Sequence, residues 1–266
     1  MSFKSKSLLL FFLTLLCVQL RAADSVWSRV VVIGASASAG FVLAEPFGGT
    51  NTARCKLDRH LDAAITTPHA PVKNFATALF FLSPDAMAAQ ETEAATNSGA
   101  TLVVATDFLF WFCYGQGDTD AERAAHFEAG LQALEKIRCP LLVGDIPDAS
   151  SATNTGIISI EQVPSETARH AANARLKKWA AAHPQATIVP LAEFMRAVKA
   201  DEAVKIHGTI LLAGKTHALL QADGLHPNSS GAAVLSLGVL DAFVKAHPKI
   251  SAKQIRWNID PAFTRR

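Results

Sequence analysis

Short apolar runs alternate along the chain with longer segments in which apolar and polar residues share the turns of a helix. That alternation predicts a parallel sheet covered by helices on both faces. Strands are expected at about 28–34, 71–75, 100–106, 139–144 and 186–190. Each run is short, rich in Val, Ile or Leu, and bounded by polar, Gly or Pro residues, as in a strand buried on both sides. Helices are expected at about 57–65, 84–96, 120–137, 165–182, 191–204 and 229–246. Ser83-Pro84 reads as an N-cap followed by a first-turn proline, and Asp118 or Thr119 as the cap of the 120–137 helix. Residues 44–56 and 145–164, rich in Gly, Pro, Ser, Thr and Asn, read as loops on the ligand-binding side of such a sheet.

The first 23 residues stand apart. Lys4 and Lys6 precede the apolar run Leu8 to Val18, and the small stretch Ala22-Ala23 follows Arg21. This layout predicts a signal peptide over 1–23, export of the remainder, and one α/β domain over 24–266. The run is shorter than the roughly 20 residues a membrane span needs. The leader holds three of the 25 basic residues and none of the 23 acidic ones, so the remainder is close to neutral. A basic surface for nucleic acid is not indicated. Cys55, Cys113 and Cys139 remain after the leader, an odd number in no zinc-binding pattern. Cys113 and Cys139 sit in or beside apolar runs and are expected as buried thiols.

Candidate chemistry lies at the two ends of the domain. Gly34-Ala35-Ser36-Ala37-Ser38-Ala39-Gly40 follows the first apolar strand, placing Ser36 where a strand is expected to turn into a short helix. Free N–H groups at such a helix start would suit a developing oxyanion. Near the C-terminus, Asp223-Gly224-Leu225-His226-Pro227 places a carboxylate three residues from an imidazole. Pro227 keeps His226 out of a helix, and Asn228 or Ser229 starts the 229–246 helix. Asp223 either holds the imidazole of His226 or only satisfies N–H groups of its own turn. The competing motifs are incomplete. Gly40-Phe41-Val42 lacks the Lys of a phosphate loop, and Ser36 and Ala39 stand where a dinucleotide loop needs glycines. Tyr114, the only tyrosine, lacks a lysine four residues on.

These two blocks resemble those of the SGNH/GDSL hydrolases, serine esterases and lipases with a flavodoxin-like α/β/α fold. The first, Gly-Asp-Ser-x-Ser-x-Gly in that family, is matched by 34–40 with Ala35 for Asp; the last, Asp-x-x-His-Pro, is matched in full. The resemblance implies a central parallel sheet of about five strands, Ser36 as nucleophile, His226 as base and Asp223 as its orienter. It also implies an oxyanion hole from the Ser36 N–H, a glycine N–H after the second strand and an asparagine amide after the third. Here Ala76 stands for the glycine, and the stretch Ala105-Thr106-Asp107 replaces Gly-x-Asn-Asp. Either Asp107 takes the asparagine position, or a one-residue shift puts Thr106 there and Asp107 on the aspartate. An ionised Asp107 facing an oxyanion would repel it, whereas Thr106 could donate its hydroxyl. The run Phe108-Leu109-Phe110-Trp111-Phe112 reads as core rather than acyl pocket.

The expected activity is hydrolysis of a carboxylic ester, on acetylated carbohydrate, a short-chain ester or a lipid ester, through an acyl-serine intermediate. No metal or organic cofactor is implied; His60, His69 and His126 show no ligand spacing. The alternative is a catalytically weak or inactive protein on the same scaffold that binds a glycan or cell-envelope component. The altered middle blocks motivate it.

Overall fold

The computed structural model describes residues 25–264 apart from 116 and 118; the expected leader and the candidate cap Asp118 lie outside the described residues. Along the chain run β1 (Val30–Val32), α1 (Thr50–Cys55), α2 (Leu57–Ala64), β2 (Lys73–Asn74), α3 (Pro84–Asn97), β3 (Leu102–Ala105), α4 (Phe110–Tyr114) and α5 (Asp120–Leu134). Then follow β4 (Leu141–Gly144), α6 (Glu166–Ala182), β5 (Ala186–Val189), α7 (Leu191–Lys199), β6 (Val204–Ile206), β7 (Thr209–Leu211), α8 (Ser229–Ala246) and α9 (Pro261–Thr264). The first five strands form one parallel sheet in the order β2-β1-β3-β4-β5. β6 and β7 form a separate antiparallel hairpin.

Strand residues point alternately to the two faces, so each strand feeds two cores. Val31, Val103, Leu141 and Val143 meet Ala88 and Ala95 of α3, Phe127, Leu131 and Leu134 of α5, and Leu176 and Trp179 of α6. Val30, Val32, Leu102, Val104 and Leu142 meet Leu57 and Leu61 of α2, Met195 and Val198 of α7, and Val239, Leu240 and Phe243 of α8. The result is the expected three-layer α/β/α sandwich. α8 is long and apolar enough to cross a membrane by composition, yet ten of its residues are buried in this core, Phe243 and Leu240 completely.

Three local expectations are corrected. The helix begun at Leu191 stops at Lys199, because Asp201 takes a left-handed φ of 54° and turns the chain into the β6–β7 hairpin. Residues 44–56 contain α1, whose first N–H groups are held by Glu45 from outside the helix, with Asn51 and Thr52 donating to its Oε2 at 2.8 and 2.9 Å. No local N-cap announces that helix: Gly49 stands at the cap position. Cys139 is only half-buried, whereas Cys113 is enclosed and burial pushes its thiol up to about 12. Other boundaries follow local chemistry. Thr119 and Glu122 form a reciprocal capping box at α5, and Asn228 accepts the Gly231 N–H at the start of α8.

Candidate active site

β1 and β3 are neighbours in the sheet, but the chain leaves β1 towards β2 on one side and returns to β3 on the other. Open α/β sheets bind ligands at such a reversal, beyond the C-terminal ends of the strands. Ser36 follows β1 there, and Thr106 and Asp107 follow β3.

The turn 223–226 brings its carboxylate and imidazole to Ser36. Asp223 Oδ1 accepts the N–H groups of Leu225 and His226, both at 2.9 Å, while Oδ2 lies 2.8 Å from His226 Nδ1. The carboxylate therefore does both jobs weighed for it, one oxygen shaping the turn and the other orienting the ring. His226 Nε2 lies 2.9 Å from Ser36 Oγ. Burial raises the Asp223 carboxyl, but its hydrogen bond to His226 and the imidazole charge, with the two N–H donors, outweigh burial and hold it below its ordinary value. An ionised Asp223 favours the tautomer with its proton on Nδ1, leaving the Nε2 lone pair for the serine O–H. Asp223 and His226 are buried, Ser36 is half-buried, and the Phe41 ring rests 4.7 Å from the imidazole centroid.

Residues 35–40 form an irregular turn and not the expected helix. The reason is Asp107. Its Oδ1 accepts the Ala35 N–H at 3.0 Å and the Ser38 hydroxyl at 2.5 Å; its Oδ2 accepts the N–H groups of Ala37 and Ser38 at 2.8 and 3.1 Å. A buried carboxylate thus gathers the donors that a helix start would have left free. Both carboxylate oxygens of Asp107 are engaged by the 35–38 loop. Gly34, at φ 141°, lets this loop approach; a Cβ there would collide with Asp107 Oδ1. On the other side of the loop, Glu91 of α3 accepts the Gly34 N–H at 2.7 Å. Burial pushes the Glu91 carboxyl up to about 9, with the charge of Asp107 adding to it against the Gly34 N–H bond.

Ala76 is also corrected. Its N–H donates to Asn74 Oδ1 at 2.9 Å, and the Asn74 amide is tied to Ser38 O and Asp58. Two donors of residues lining the cavity make no hydrogen bond among the described residues: the Ser36 N–H and the Thr106 hydroxyl. Thr106 is buried, its Oγ1 has no partner among the described residues, and it lines the same cavity as Ser36 and His226. Gly144 of β4 makes room for this turn, since a Cβ there would strike the Thr106 carbonyl.

Beyond the polar mouth the cavity is apolar, walled by Phe110, Leu191, Phe194, Met195, Leu219 and Leu235. Phe110 belongs to the aromatic run expected as core; it is buried and also faces the cavity. Pro147, in the loop after β4, contributes as well. Tyr114 holds that loop by donating to Pro147 O at 3.0 Å and accepting the Ala149 N–H at 2.7 Å. Glu91, Phe41 and the cavity wall carry no motif and could be found in sequence only as members of amphipathic or apolar stretches.

Sheet order and layers support the SGNH/GDSL hydrolase-like fold that the resemblance implies. A lipase/acylhydrolase from Enterococcus faecalis has the same fold at a TM-score of 0.56, with 16% sequence identity over 88% of this chain and 100% of that one. TesA (TM-score 0.49, 18% identity, 82% and 99% coverage) and the esterase EstA from Pseudoalteromonas sp. (0.47, 13%, 82% and 97%) are more distant in structure. No family model and no curated protein matches the sequence.

Proposed function

We propose that the protein is an exported serine esterase. The observation that carries this reading is the relay Asp223–His226–Ser36, with contacts of 2.8 and 2.9 Å at the mouth of an apolar cavity. In the proposed reaction, Ser36 Oγ attacks the ester carbonyl carbon as its proton passes to His226 Nε2, and Asp223 stabilises the imidazolium. In this reading the resulting oxyanion is held by the Ser36 N–H and the Thr106 hydroxyl. Collapse expels the alcohol, which takes the proton from His226. Water then attacks the acyl-serine by the same base, releasing the acid and restoring Ser36. Export rests on the leader-like segment 1–23. The remaining donors support catalysis over the non-catalytic alternative: the loss of the Ala76 N–H is matched by a buried hydroxyl with no partner among the described residues.

Intact-mass measurement after treatment with a fluorophosphonate tests the reading. One adduct on the wild type and none on Ser36→Ala is the expected result. A correctly folded wild type that takes up no phosphonate overturns it.

A further inference from the structure

The active-site cavity is small. It offers about 50 Å³, where one water takes about 10–15 Å³, so it holds about three or four non-hydrogen atoms. Its apolar lining includes Leu191 and Phe194 of α7 and Leu235 of α8. Leu191 and Leu235 are buried and Phe194 is half-buried. The same three residues also line a second, open-sided space of about 570 Å³ between β5, α7, β6 and α8, whose lining includes the charged Glu193, Lys205, Asp241 and Lys245. The two spaces adjoin along Leu191, Phe194 and Leu235, which line both.

We infer that Leu191, Phe194 and Leu235 set the acyl-chain length of the substrate, confining it to short straight chains up to about butyryl and separating it from the larger space beside them. The inference rests on the serine-esterase reading and names the acyl group that reading leaves open. An acyl carbon placed at Ser36 has its oxygen turned to the Ser36 N–H and Thr106, so the chain points into the apolar end. There the first three carbons displace water from apolar walls, a favourable burial. A fourth or fifth methylene meets Phe194 and Leu235, whose displacement from a packed interface is unfavourable. Shortening either side chain joins the two cavities and gives a longer chain somewhere to go.

The test is kcat/KM on p-nitrophenyl acetate, butyrate and octanoate for the wild type, Phe194→Ala and Leu235→Ala, with fluorophosphonate uptake measured on each. The expected wild type prefers butyrate to octanoate at least tenfold, and each variant raises the octanoate-to-butyrate ratio at least tenfold. Phe194, partly exposed, is the less disruptive position if Leu235→Ala fails to fold. A wild type that labels but cleaves octanoate as fast as butyrate overturns the inference. So does a Phe194→Ala protein that labels and keeps the wild-type ratio. A wild type that does not label overturns the serine-esterase reading instead, which separates the two failures.

Discussion

Asp107 Oδ2 accepts the N–H of Ala37 at 2.8 Å, and through this bond a residue after the third strand holds the backbone next to Ser36. With the bonds to Ala35 and Ser38, it leaves Ser36 as the one member of 35–38 whose N–H is not engaged among the described residues. Both carboxylate oxygens are engaged by this loop. Several consequences can be measured.

Asp107→Asn replaces a charge-assisted acceptor with an amide whose NH₂ faces backbone donors. A loss of about 3 kcal/mol in unfolding free energy is expected, since hydrogen bonds to a buried charge are worth ~1.5–3 kcal/mol each and the loop partly relaxes. Urea unfolding measures the loss, and phosphonate labelling should slow with it. Faster ester turnover in Asp107→Asn would instead mean that the carboxylate does oppose an oxyanion.

Thr106→Val should separate catalysis from stability. The hydroxyl has no partner among the described residues, so its removal leaves the melting temperature unchanged or slightly raised. As an oxyanion donor it is worth about 10²–10³ in kcat, and that loss is expected with little change in KM. Thr106→Ser should restore most of the rate. Equal kcat for Thr106→Val and the wild type would remove Thr106 from the mechanism.

Asp223→Asn keeps the turn only in part, because Oδ1 serves two N–H groups while the amide end faces His226. With the imidazole in the wrong tautomer, kcat should fall about 10⁴-fold, as expected for loss of an orienting carboxylate. Saturation kinetics on a soluble ester distinguish this from weaker binding, which would appear in KM.

Glu91 gives the fold a pH dependence of definite sign. Its carboxyl is raised in the folded protein to about 9 and ionises near its ordinary value when unfolded. Its contribution is fully present below the unfolded pKa, about 4.3, and declines as pH rises towards 9. Glu91→Gln removes that decline. The stability of the variant relative to the wild type should therefore increase between pH 5 and 8.5, by at most about 1.4 kcal/mol per pH unit. Denaturant midpoints that move in parallel across this range would place an ionised Glu91 beneath Gly34.

Periodicity carries much of the architecture because burial acts locally. Val30 to Val32 has to be a strand feeding two cores, and Leu57, Leu61 and Ala64 have to share one face of a helix. Likewise Ser36, Asp223 and His226 could be singled out as candidates from residue types, order and the resemblance of their two blocks to a family, and the structure brings them within hydrogen-bond distance. Elements whose ends are held from elsewhere in the chain were not readable in this way. α1 starts on the side chain of Glu45, and α7 ends where Asp201 enters a left-handed conformation.

The oxyanion side shows the same division most clearly. Ala35 and Asp107 are 72 positions apart, and their hydrogen bond decides that 35–38 is a turn, that Asp107 is anchored and that Thr106 faces the cavity. Ala76 loses its N–H to Asn74 only because β2 sets that side chain against Ser38 and Asp58. Local sequence specified which groups can react, through their chemistry and the faces they must bury. Which donors stay free, and how much room lies beyond them, depended on strands brought side by side by the sheet, because a hydrogen bond or a wall needs two partners and the chain supplies them far apart.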